Sequence, residues 1–141
     1  MPGSGLQRKP FGGRLRILIA DDHAIIRKQV RSIFGASPRF DVCGEARDGA
    51  EAIELAKDLK PDVVVLNITM PVLNGFEAAR EIKTMVPETV VVILSANADK
   101  RFVEEAQKVD ARAYVAKTKA GVALITAIEE AMMGEHFVLV D

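Results

Sequence analysis

A single cysteine, Cys43, is all the thiol chemistry the chain has. No disulfide framework can form, and a reducing, cytoplasmic setting is expected. His23 and His136 make no metal cluster with that cysteine by spacing, and both are expected at the surface. Charge of one sign is not in excess: 19 basic residues against 20 acidic ones leave a formal charge of −1. That excludes the whole-domain basic footprint of a nucleic-acid binder. Every apolar run falls well short of the ~20 residues that cross a bilayer, so no membrane partner is expected. The opening stretch MPGSGLQRKPFGGR lacks the apolar centre of a secretory signal. Repeats and low-complexity segments are absent too. What is present is 141 residues, 49% hydrophobic and 28% charged, enough for the core of one soluble domain.

The apolar pattern alternates between two kinds. RILIA (16–20), FDVCGEA (40–46), DVVVL (62–66), VVVIL (90–94) and AYVA (113–116) are short apolar-rich runs, as in strands covered on both faces. Cys43 lies in the second and is expected as a small buried hydrophobe. Between the runs stand helical stripes. These are Ile26, Val30, Ile33 and Phe34, stopped by Gly35; then Ala52, Leu55, Ala56 and Leu59, opened by Asp48 with Glu51 as in a capping box and broken by Pro61. Phe76, Ala79, Ile82 and Val86 follow, then Phe102, Ala106 and Val109, then Val122, Ile125, Ile128 and Met132 before Gly134. Strand and helix repeat five times over. Parallel strands need crossovers over a sheet face, so the expected fold is α/β: a doubly wound five-stranded parallel sheet, (βα)5, of flavodoxin-like order 2-1-3-4-5. Residues 1–15 are expected to form a flexible tail, with Arg8, Lys9, Arg14 and Arg16 solvated. The domain proper then covers 16–134. Residues 135–141 form a C-terminal extension or the start of a linker, although Phe137, Val138, Leu139 and Val140 are apolar for a free tail.

Ligands of open α/β sheets bind beyond the carboxyl ends of the strands. The first strand presents Asp21 and Asp22 there, the third Asn67, the fourth Ser95 and the fifth Lys117. The second offers Glu45 and Arg47, nearer the sheet edge. Taken singly, an Asp pair caps a helix, Asn67 forms a turn and Lys117 sits on the surface. Together, carboxylates, amide, hydroxyl and ammonium converge on one crevice. Crowded carboxylates repel one another and invite a hard divalent cation such as Mg²⁺, which takes oxygen ligands. Such a cation, a lysine and a hydroxyl are the groups that would hold a transferring phosphoryl.

LIADDH, DVVVLNITMPVLNGFEAA, VVILSA and ARAYVAKTKA, spread between Arg16 and Met133, resemble the receiver domain of two-component response regulators. The resemblance implies a bacterial, cytoplasmic signalling module and no catalyst. It implies Asp22 as direct ligand of Mg²⁺, Asp21 as its water-mediated neighbour and the Thr69 carbonyl as a further ligand. Asn67 stands at the phospho-acceptor position. Ser95 and Lys117 would contact the phosphoryl group. Ser95 and Tyr114 would form a switch pair that remodels the face of the fourth helix, fifth strand and fifth helix. Implied partners are a histidine kinase or phosphotransfer protein, and a second copy through that face. Arg27, Lys28 and Arg31 on the first helix are expected to be solvated.

Two positions depart from the family. Thr118 follows the lysine where a proline is frequent, and either a trans or a strained cis bond is open there. Asn67 replaces the acceptor aspartate. A neutral amide is a poor nucleophile, so no acyl phosphate is expected, and Mg²⁺ binding should be weak. The chain is then a pseudo-receiver, natural or engineered to be inactive. The alternatives are a phosphorylatable-type receiver fragment of a transcription regulator in its inactive state, or a small phosphatase with Asp21 or Asp22 as nucleophile. The phosphatase would need a shielding cap, and no segment is long enough for one. A flavin module would want a Ser/Thr/Gly-rich loop where ADDHAII stands. The end GEHFVLVD leaves no room for a DNA-binding output domain after the last helix, so either a stand-alone receiver or a fragment of a longer regulator is expected.

Overall fold

The computed structural model describes residues 13–97, 99–134 and 136–141. The element order is β1 Leu15–Ala20, α1 Ala24–Gly35, β2 Phe40–Ala46, α2 Gly49–Leu59, β3 Val63–Leu66, α3 Gly75–Met85, β4 Val90–Ser95, α4 Lys100–Lys108, β5 Ala113–Ala116, α5 Ala120–Met133 and β6 Val138–Val140. One turn of 3₁₀ helix, Lys117–Lys119, joins β5 to α5. All ladders are parallel, and the sheet order is β2-β1-β3-β4-β5-β6. The expected order holds for the first five strands, but the sheet has six. Residues 138–140, expected in an extension or linker, pair with β5 in the register Ala113↔Val138, Tyr114↔Leu139, Val115↔Val140. The expected tail 1–15 lies outside the described residues except at its end. There Leu15 already belongs to β1, and the Arg14 guanidinium donates to the carbonyls of Pro38 and Phe40. Arg16, also expected in solvent, donates to the Leu59 carbonyl at 2.6 Å.

Alternation along the strands divides the core in two. Leu18, Val64, Leu66, Val91, Ile93 and Tyr114 face α2, α3 and α4. Ile17, Ile19, Val63, Val65, Val92 and Val115 face α1 and α5. Strands buried on both sides are what a sheet wrapped by crossover helices requires. Each fully buried Leu, Ile or Val contributes about 1.5–3 kcal/mol. Among the described residues, no helix is long and apolar enough to cross a membrane.

Four local expectations change. On α5 the buried stripe is Ala120, Leu124, Ala127, Ile128 and Ala131, while Val122 is 86% exposed. The helix is apolar on several faces, and its alanines let the backbone approach the sheet more closely than a stripe of larger residues would. Gly35 is the last residue of α1 and not a left-handed stop; the C-cap is Ala36, in right-handed geometry. At α2 the capping box is half made. Asp48 accepts from the Glu51 N–H, but the Glu51 carboxylate takes the N–H of Arg47. The reciprocal box occurs at α3, between Asn74 and Glu77. Cys43 is the extra residue of a bulge in β2, where Ile17 pairs with Val42 and Leu18 with Gly44. It is half-buried, with its Sγ 3.5 Å from the Ile17 carbonyl, and burial raises its thiol pKa.

Candidate functional site

β1 ends with Ala20, and the Asp21 N–H then bonds the Ala46 carbonyl of β2. This fixes Asp21 at the sheet rim with its side chain buried. One carboxylate oxygen accepts the His23 N–H at 2.9 Å; the other meets Lys117 Nζ at 3.0 Å. The ion pair is shielded: the Asp21 and Lys117 side chains are 3% and 17% exposed. Lys117 is brought there by β5 and the tight turn after it. No cis peptide occurs among the described residues, so the Lys117–Thr118 bond is trans.

Asn67 follows β3, its N–H bonded to the Ala20 carbonyl. Its side-chain Nδ2 donates to the Thr69 carbonyl at 2.8 Å and lies 3.4 Å from Asp22 Oδ1. Both neighbours only accept, so the amide must turn its NH₂ towards them. The loop holding this geometry is clamped by two helix starts. A Cβ on Gly75 would come within 2.2 Å of the Asn67 carbonyl oxygen, and one on Gly49 within 2.1 Å of the Leu73 carbonyl oxygen. Between them Val72 adopts φ 71°, a conformation costly for a β-branched residue.

Asp21, Asp22, Asn67, Thr69 and Lys117 are therefore joined by direct contacts, through His23 between the two aspartates. Ser95 and Tyr114 form a separate pair. Ser95 Oγ accepts the Asn97 N–H at 3.0 Å, and the Tyr114 hydroxyl donates to the Asn97 carbonyl. The Tyr114 ring is fully buried. Burial pushes its phenol above the ordinary value of 10.0, partly offset by a hydrogen bond with Ser95.

Two participants escaped the sequence reading. His23 is exposed as expected (64%), yet its Nδ1 lies 3.0 Å from Asp21 Oδ1 and 3.2 Å from Asp22 Oδ1. Ligand atoms of Asp21, Asp22 and His23 lie within 4.8 Å of one another, so His23 joins the candidate metal group. Arg27, expected to be solvated, donates to the Asp21 carbonyl at 2.6 Å and to Glu45 at 3.0 Å. Arg31 joins the same carboxylate at 2.7 Å. These bonds, Arg31's first, hold the Glu45 carboxyl below its ordinary range against a smaller opposing effect of burial. The signal for both was spacing: His23 precedes α1, and Arg27 lies one turn further along the same helix face.

The donor chemistry suits a hard cation in part. The Asp21 and Asp22 carboxylates and the Thr69 carbonyl are oxygen ligands of the kind Mg²⁺ takes. Asn67 turns its donor side to two of these oxygens, and would have to present Oδ1 to become a ligand.

A family model described as "Response regulator receiver domain" matches residues 17–129. The transcriptional regulatory protein DegU of Brevibacillus brevis is 34% identical over 125 residues, 89% of this chain and 53% of that protein. The chemotaxis protein CheY of Thermotoga maritima is 39% identical over 102 residues, 72% of this chain and 84% of that protein. Among solved structures, the response regulator domain of Thermotoga maritima CheB is similar with TM-score 0.80 and 31% identity, covering 86% of this chain and 98% of that one. The chain spans about half, or less, of the length of several curated relatives that it matches.

Proposed function

The chain belongs to the response-regulator receiver family, and on that footing we propose that it is a pseudo-receiver: a signalling interaction module whose acceptor position, Asn67, forms no acyl phosphate. The observation that carries this reading is the donation from the Asn67 amide to the Thr69 carbonyl, with Asp22 beside it. An amide so placed supplies hydrogens where a metal ion would draw on the same oxygens. It offers no anionic oxygen to attack phosphorus.

Within this reading Asp21 and Asp22, with the Thr69 carbonyl and a turned Asn67 amide, are the residues that would hold Mg²⁺ weakly. When bound, the ion neutralises charge on phosphoryl oxygens. Lys117 anchors Asp21 and stands ready as a cationic contact for a phosphoryl mimic. Ser95 and Tyr114 are the switch pair, here closed around Asn97. The setting is cytoplasmic. Receiver domains interact with histidine kinases and phosphotransfer proteins, and the same classes are the proposed partners here. The domain itself performs no catalysis; enzymes that carry a receiver act through their other domains.

The test is exposure to a small phosphodonor such as acetyl phosphate with Mg²⁺, followed by intact mass. The unsubstituted chain is expected to stay unmodified and Asn67→Asp to gain one phosphoryl group. A phosphoryl adduct mapped to residue 67 in the unsubstituted chain would refute the proposal. A second reading has one observation in its favour: DegU, matched over 53% of its length, is a transcriptional regulator. In that reading the domain is the receiver part of a longer regulator.

A further inference from the structure

β6 has three residues, none fully buried, and Leu139 is 46% exposed. It is nevertheless placed on the one strand that carries Tyr114. Leu139 is the register partner of Tyr114, and paired residues of parallel strands share a face of the sheet. Phe137 packs against the same core cluster as Tyr114, while Val138 and Val140 pack against the opposite one. The strand thus straddles the edge of β5, the strand that carries the buried Tyr114 ring, with residues on both faces of the sheet. Its attachment is light. Gly134, at φ 78°, turns the chain out of α5, and a Cβ there would press on Arg112 Nη1 at 2.9 Å. A cleft of about 370 Å³ lies beside that turn, lined by Gln107, Arg112, Gly134, His136 and Phe137 among others, so solvent already reaches beneath the hinge.

We propose that β6 is a detachable strap that holds the Tyr114 ring in its buried position, so that release of the strand and exposure of the ring are a single event. Release opens the edge of β5 between α4 and α5. The consequence for signalling rests on the reading of Ser95 and Tyr114 as a switch pair. The strap itself rests only on the sheet register and the packing. The tyrosine measurements below can therefore fail while the phosphodonor result stands, and the reverse.

The chain has one tyrosine and no tryptophan, so its tyrosine emission reports on Tyr114 alone. The Val138 N–H donates to the Arg112 carbonyl at 2.9 Å. Val138→Pro removes that bond. Leu139 is next in the alternation, its N–H faces away from β5, and proline is tolerated on an edge strand in that orientation. Full-length unsubstituted chain, Val138→Pro and Leu139→Pro are compared by acrylamide quenching of tyrosine emission and by spectrophotometric titration of the phenol. Val138→Pro is expected to raise the quenching constant several-fold and to bring the titration back towards that of a free phenol. Leu139→Pro keeps the ladder bonds and is expected to stay much closer to the unsubstituted chain than Val138→Pro does, losing only the cover of its own side chain. Equal protection in Val138→Pro and the unsubstituted chain overturns the proposal, as does equal exposure in both proline variants. Should Val138→Pro lose its cooperative transition, the unsubstituted chain carries the test in a urea series. Quenching should then rise together with loss of protection at the Val138 amide, below the global transition. A rise only at the global transition overturns the strap.

Discussion

Replacing Asn67 by aspartate changes one atom group and reverses the local electrostatics. In the unsubstituted chain Nδ2 is 2.8 Å from the Thr69 carbonyl oxygen and 3.4 Å from Asp22 Oδ1. The Asn67→Asp variant would set an oxygen in that place, facing two acceptors. Two unit charges at that Asp22 separation repel by about 5 kcal/mol at an effective dielectric near 20. The Asp22 side chain is 29% exposed and Lys117 lies 3.0 Å from Asp21, so water and the ammonium screen most of it. A net loss of about 1–2 kcal/mol is reasonable. The lost hydrogen bond to Thr69 adds about 1 kcal/mol. In EDTA, urea unfolding should therefore place Asn67→Asp about 2–3 kcal/mol below the unsubstituted chain. Added Mg²⁺ should reverse the order once it exceeds its Kd by more than about 100-fold, since a ligand at 100 times its Kd adds about 2.7 kcal/mol to the folded state that binds it. The unsubstituted chain should respond much less. Equal stability of Asn67→Asp and the unsubstituted chain in EDTA, or equal stabilisation of both by Mg²⁺, would refute this electrostatic account.

Three further outcomes follow from the same geometry. Lys117→Met leaves the buried Asp21 carboxylate without its ammonium and should lower unfolding free energy by about 3 kcal/mol, most of it recovered in the double variant with Asp21→Asn; a loss under about 1 kcal/mol in urea melts would contradict the shielding argument. Val72→Asn should raise stability by about 1 kcal/mol, because Val72 is 75% exposed and loses no packing while asparagine accepts its φ of 71°; an unchanged melting temperature would count against strain in this loop. Glu45 titrates below its ordinary 4.5, chiefly through Arg31, so its contribution is present above that value and is lost as pH falls through the lower folded value. Arg31→Ala should cost at most about 1 kcal/mol at neutral pH, given the exposure of the pair, and the difference should close in acid; a gap independent of pH between 7 and the carboxylate range would remove the ion pair as its cause.

Strand runs such as VVVL and VVVILS were legible because continuous apolar residues admit few other placements in a βα repeat. The convergence of Asp21, Asp22, Asn67 and Lys117 followed from topology alone, since each ends or follows a strand at the same rim. What was not legible depended on contacts between distant segments. Val138–Val140 is too short and too exposed to announce a strand, and becomes one only because β5 has a free edge beside the hinge at Gly134. The α5 stripe was misplaced because several of its faces are apolar, and alanine at 127 and 131 packs closer than Val122 or Met132. Arg27 looked like a surface charge until Glu45, on β2, and the Asp21 carbonyl were known to lie within its reach.

The oxygens of the site find partners within the chain. Asp21 is met by Lys117 and by the His23 N–H; Asp22 by His23 Nδ1 and by the Asn67 amide; the Thr69 carbonyl by the same amide. An aspartate in place of Asn67 would put a third carboxylate in this set and strip the Asp22 and Thr69 oxygens of their donor, which is the condition under which a divalent cation binds well. The amide satisfies the same oxygens from within the chain. On the proposed pseudo-receiver reading, a fixed dipole then stands where a mobile cation would otherwise be drawn, and the resting geometry should depend little on Mg²⁺.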